Sequence, residues 1–204
     1  MDTGTLIFIV IILAVPWIVV IFYGFVSNQG ILKSYKSLSV KYSFETDLTK
    51  KSGFRKLPVV TGKYRNIHVE IGSFINQSGR KKSSATYVKA ACSNSAGLEF
   101  LIVKKNHANE NKYRAKSFLI NDTDFDSKFI VNTNNGERMF SLLNFSIKYK
   151  LLQSLNVGFK GEIKLEGNNL SYVENELIKN NINLLRIEIM LHLLCEISDE
   201  LKSN

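Results

Sequence analysis

The sequence predicts an α+β fold: an N-terminal transmembrane helix followed by one domain of mainly antiparallel sheet with packed helices. Three observations carry this. Leu6 to Val26 is an apolar run of 21 residues without a charge. From Leu57 onward, stretches rich in β-branched and aromatic residues follow a period of two, separated by polar loops. The C-terminal stretch INLLRIEIMLHLLCEISDELK then returns to helical spacing.

The first run, LIFIVIILAVPWIVVIFYGFV, would span about 32 Å as a helix, which matches a bilayer core. A cleaved signal peptide would begin with positive charge, whereas MDTGT holds only Asp2. After the run come Lys33, Lys36, Lys41, Lys50, Lys51, Arg55, Lys56, Lys63 and Arg65, against Glu45 and Asp47 alone. By the positive-inside rule this asymmetry puts the N-terminus outside the cell membrane and the rest in the cytoplasm. Most of the chain's net charge of +9 therefore lies just beyond the apolar run.

ILKSYKSLSVKY places Ile31, Leu32, Tyr35, Leu38 and Tyr42 at helical period, a short amphipathic helix leaving the membrane. SFETDLTKKSGFRK reads as a polar connector. LPVVTGKY, NIHVEIGSF, SATYVKAAC and LEFLIVKK then read as an antiparallel meander. After the polar loop NHANENKYRAKS, strands are expected near Phe118 to Asn121 and Phe129 to Asn132. GERMFSLLNFSIKYKLLQSL reads as one helix, and VGFKGEIKLEGNNLSYVE as a hairpin turning at GNN. Arg186, Glu188, His192 and Glu196 make the last helix too polar to cross a membrane, so it should pack on the sheet. The implied organisation is a short extracytoplasmic N-terminus (1–5), a transmembrane helix (6–26), a basic juxtamembrane helix and linker (27–56) and a cytoplasmic α+β domain (57–204).

Chemistry-bearing patterns are few. Asp122, Asp124 and Asp126 alternate like the start of a calcium loop, but that loop needs Gly at its sixth position and a carboxylate at its twelfth, where this chain has Ser127 and Thr133. The aspartates are instead expected on the solvent side of a corner, with Phe125 and Phe129 inward. His192 and Cys195 share a helix face, but His68, His107 and Cys92 lack the spacing to complete a zinc site. Phosphate-loop and dinucleotide fingerprints are absent from the sequence. The basic residues are not interleaved with aromatic stacking positions, so no nucleic-acid partner is expected. These residues suggest no catalytic group and no cofactor. Two cysteines are too few for a disulfide framework, and the four Asn-x-Ser/Thr sequons are expected chance matches in an Asn-rich chain.

FDSKFIVNTNNGERMFSLLNFSIKYKLLQSL, followed by a G-x-I-x-L strand and NNLSYV, resembles an uncharacterised bacterial family of single-span membrane-associated proteins. In that family an F-[DN]-x-x-F-x-V strand start leads into a helix ending in Leu-Leu and then a hairpin. LPVVTGKYRNIHVEIGSF is similar to the L-x-x-V-x-G-x-Y-R-G-R strand pair of related anchored domains, with Asn66 and Ile67 in place of the final Gly and Arg. The resemblance covers about half of the domain and implies its architecture; it carries no activity, cofactor or catalytic residue.

The expected function is that of a membrane-anchored cytoplasmic interaction or scaffold domain, an accessory subunit of a membrane assembly, with a protein partner or a second copy of itself. The alternatives are a membrane-tethered enzyme acting on lipid or lipid-linked substrates, and a sensor of anionic lipid surfaces. The candidate contacts to anionic head groups are Lys33, Lys36, Lys41, Lys50, Lys51, Arg55, Lys56, Arg80, Lys81 and Lys82, because each basic residue near such a surface contributes about 1 kcal/mol.

Overall fold

The computed structural model describes the backbone of residues 3–203 except 48, 50, 53–54, 79–80 and 114–116, and side chains except also 3–11, 18–28, 51–52, 55–56, 76–78, 81–82 and 203. One helix, α1 (Thr3–Tyr42), runs through both the apolar stretch and the amphipathic turns after it. A sheet built from β1 (Glu45–Asp47), β4 (Val59–Tyr64), β5 (Ile67–Ser78), β6 (Lys81–Ala91), β7 (Phe100–Lys104), β8 (Ser117–Phe118), β9 (Phe129–Thr133), β10 (Glu162–Glu166) and β11 (Asn169–Glu174) has the order β1-β4-β5-β6-β11-β10-β7-β9-β8. Every pairing in it is antiparallel. A separate small hairpin joins β2 (Lys51–Ser52) to β3 (Arg55–Lys56).

Strand alternation divides the sheet into two faces. Register aligns Val60, Ile71, Val88, Tyr172, Ile163, Ile102 and Val131 in one cross-sheet row, and all are buried. The adjacent row, Thr61, Glu70, Lys89, Ser171 and Lys164, is polar and faces the other way. Helices cover the apolar face. The last helix, α6 (Asn181–Ser203), lies on β6 and β11, with α1 and α5 (Phe145–Ser154) packed beside it. On the polar face, α2 (His107–Tyr113) packs near β9, where Val103 and Ile130 are buried.

The transmembrane helix expected over 6–26 is overturned: among the described residues no helix is long and apolar enough to cross a membrane. The expectation treated the apolar run as an element of its own. In the structure it is the leading part of a single helix whose later turns belong to the domain, with Ile31, Tyr35 and Leu38 in the core. Of the expected span, the side chains at 6–11 and 18–26 lie outside the described residues. Ile12, Leu13, Val15 and Trp17 are exposed. The fold class is thus mixed α+β, a large antiparallel sheet with packed helices.

Shorter elements also depart from the periodicity. The NDTDFD corner holds a helix, α3 (Thr123–Lys128), because Asp122 caps it: its carboxylate accepts from Phe125 N at 3.2 Å. Phe125 and Phe129 are buried and stacked at 5.1 Å. The single helix expected over GERMFSLLNFSIKYKLLQSL is two, α4 (Gly136–Leu142) and α5, because Asn144 starts a new helix by accepting from Ile147 N. The loop NHANENKYRAKS contains α2.

Candidate functional site: a basic end of the sheet

Contacts of α1 fix its direction over the sheet. Tyr42 Oη is 3.0 Å from His192 Nε2 and its ring packs on Tyr64, while Tyr35 Oη is 2.7 Å from Ser73 Oγ. Going back along α1 therefore means going up β5, from Ile67 toward Ser78. At Gly30 the helix passes so close to Lys179 that an added Cβ would lie 3.0 Å from its carbonyl oxygen. The first half of α1 leaves the domain at this end.

Register brings other basic segments to the same end. Asp47, Val59 and Gly72 are aligned across β1, β4 and β5, so the β2–β3 hairpin inserted between Asp47 and Val59 projects there, and β3 packs against α1. The β5–β6 ladder closes on the pair Ser78 and Lys81, also there. Lys33 and Lys36 lie on the exposed stripe of α1, with Gln29 and Val40 in line at helical spacing. Of the expected contacts, the backbones of Lys51, Arg55, Lys56, Lys81 and Lys82 are at this end and their side chains lie outside the described residues, as do Lys50 and Arg80 altogether. Lys41 is not part of the group. It turns aside to α6 and pairs with Glu188 at 2.8 Å.

Topology adds residues that periodicity could not place. β7 ends at Lys104, opposite Phe129, and Lys105 N donates to Lys128 O at 2.7 Å. Lys104, Lys128 and Lys179 are exposed at this end. The opposite end carries Glu99, Glu137, Glu166, Asp199 and Glu200 against Lys63, Arg65, Arg138 and Lys202, with Lys202 paired to Asp199. Charge is thus graded along the strands.

A solved structure shares this fold. The chain is similar to the crystal structure of the mycobacterial trehalose monomycolate transport factor A, TtfA, with a TM-score of 0.54 and 12% identity, over 85% of this chain and 95% of that one. No protein-family model and no curated protein matches the sequence. At this identity the likeness to TtfA is one of fold.

Elsewhere the polar groups are mostly committed to structure. Beneath the sheet Arg186, 1% exposed, reaches Glu174 through Nε at 2.6 Å and Nη2 at 3.0 Å, Glu176 through Nη2 at 2.7 Å and the carbonyl of Val157 through Nη1. Tyr172 Oη donates to the same Glu174 carboxylate, and burial pushes the Tyr172 pKa up. Cys195 is buried, which raises its thiol to about 12, and Cys92 is also raised by burial; neither is poised as a thiolate. The Lys148 ammonium, 2.6 Å away, and the Phe125 backbone N–H hold the Asp122 carboxyl below its usual range, while Asp126 accepts from Ile120 N and Asp122 N. The aspartates of the corner therefore shape that corner.

Two of the open clefts among the described residues carry polar groups at their walls. One, about 430 Å³, lies on the polar face between Glu45, Asp47, Thr61, Glu70 and Tyr87. The Tyr87 hydroxyl donates to Glu70, and burial together with that carboxylate pushes its pKa up, so it holds its proton at neutral pH. The other, about 760 Å³, lies between Phe118, Leu119 and Phe140, with Asn121 and Asn135 at its rim.

Proposed function

We propose that this protein is an accessory factor of a lipid-transport assembly at a membrane, acting as an interaction domain. The observation that carries the reading is the two-part construction of α1. Its later turns are built into the core through Ile31, Tyr35 and Leu38, while Ile12, Leu13, Val15 and Trp17 stand exposed around its earlier turns. An apolar segment so exposed needs cover from lipid or from another protein, and it is joined without a break to the folded domain. The fold shared with TtfA, whose name describes a lipid transport factor, supports placing that cover in a transport assembly. The reading needs only association with a membrane surface.

Crosslinking in native membranes, followed by extraction in mild detergent and purification of this chain, tests it. Specific recovery of a membrane lipid transporter is the expected result. A chain that returns alone and monomeric overturns the reading.

A further inference from the structure

The graded charge and the exit of α1 coincide at one end of the sheet, and they do so independently. Strand register determines where Lys104, Lys128 and the two basic hairpins sit; the packing of Ile31 and Tyr35 determines where α1 emerges. Among the described residues, Lys33, Lys36, Lys104, Lys128 and Lys179 are exposed and pair with no carboxylate. Such unpaired ammonium groups keep their full attraction for an external anion. Of the carboxylates at this end, Glu176 holds Arg186 and Lys160, Glu110 lies 3.7 Å from Lys105 and Asp47 accepts from Thr49; Glu162 and Asp124 also lie there, outnumbered by the five lysines.

From this we infer that the domain stands on an anionic lipid surface with its strands pointing at the head groups, the basic end down and the Glu99–Glu166 end away. The inference rests on the accessory reading for its setting and adds an orientation and a head-group charge. A lipid surface fits better than other polyanions because the apolar turn Ile12 to Trp17 leaves from the same end. Apolar cover and anionic charge are then required side by side, and a bilayer made with acidic lipid supplies both. The orientation leaves the cleft at Phe118, Leu119 and Phe140 on the far side, open to a partner.

Lysine acetylation footprinting of the full chain, reconstituted in vesicles of phosphatidylcholine alone or mixed with phosphatidylglycerol, tests this. Acetylation of Lys33, Lys36, Lys104, Lys128 and Lys179 should slow by about five-fold or more on the acidic vesicles. Lys63 and Lys202 should react equally on both, and the difference should vanish as salt is raised. The variant K104E/K128E/K179E should lose most of the protection at Lys33 and Lys36. Equal rates on the two vesicle types, or protection at Lys63 and Lys202 instead, overturn the orientation. Equal protection by single-stranded RNA at the same salt overturns the lipid assignment. A chain that co-purifies with a transporter but shows no protection loses this inference and keeps the accessory role.

Discussion

Arg186 sits almost fully out of water, and its position is tolerable because Glu174 meets it with both carboxylate oxygens. Removing one member of such a pair strands the other as a buried charge, which typically costs about 3–5 kcal/mol. Arg186→Met should therefore lower the unfolding free energy measured in urea by that much, and the double change Arg186→Met with Glu174→Leu should recover most of the loss; a mild single variant would mean that water reaches Glu174. His192 offers a second test at this scale. It stacks on Tyr64 at 5.1 Å, and burial pushes its pKa below the ordinary imidazole value; Glu188 opposes this, while Arg65, Lys41 and Lys150 reinforce it. The folded chain then holds His192 neutral at a pH where the unfolded chain has begun to bind a proton. Its contribution is intact above about pH 6.5, the unfolded value, and stability falls as pH drops through the window between that value and the lower folded one. Melting temperatures across this window should decline more steeply in the wild type than in His192→Gln, and equal slopes would remove the histidine from the account.

At the scale of elements, Asn144 marks where α4 ends and α5 begins. Its side chain caps α5 through Ile147 N at 3.1 Å and also donates to Glu200 at 2.9 Å. Asn144→Ala should cost about 1 kcal/mol, and Asn144→Gly less, read as shifts in the denaturant midpoint. If the two variants are equal, the cap is not the source of the effect. Asn144 also shows what a sequence conceals. Met139, Leu142, Leu143, Ile147 and Leu151 are spaced as on one helix, and all five are buried, yet the backbone breaks among them. Periodicity reports which side chains point inward; it does not report whether the axis turns. The first three strands of the expected meander, the β10–β11 hairpin and α6 were legible because each has many residues repeating one period; β7 leaves the meander, since β11 and β10 insert between it and β6. The six residues of α3 are less than two turns, and their two aspartates read as solvent before the capping role of Asp122 is visible. The basic end was only half legible for another reason. Lys104, Lys128 and Lys179 lie far apart in the chain and meet only through strand direction.

At the scale of the whole molecule, α1 belongs to two surroundings, and the division should be measurable. Ile31, Tyr35 and Leu38 are all but fully buried against the sheet. At about 1.5–3 kcal/mol for each large apolar side chain, their burial contributes on the order of 6 kcal/mol. That is comparable with the whole stability of a typical domain, about 5–15 kcal/mol. A chain lacking residues 1–28 keeps all three, and should unfold cooperatively near the wild-type melting temperature, because the described side chains of the missing segment touch none of the core. A chain lacking residues 1–42 loses them, uncovers part of the face formed by Val60, Ile71 and Val88, and leaves Ser73 without Tyr35. It should lose its cooperative thermal transition and bind a hydrophobic dye. Circular dichroism melts of the two shortened chains decide the matter: if the first unfolds as badly as the second, the leading half of α1 is a structural part of the domain, and the free apolar surface on which the accessory role rests does not exist.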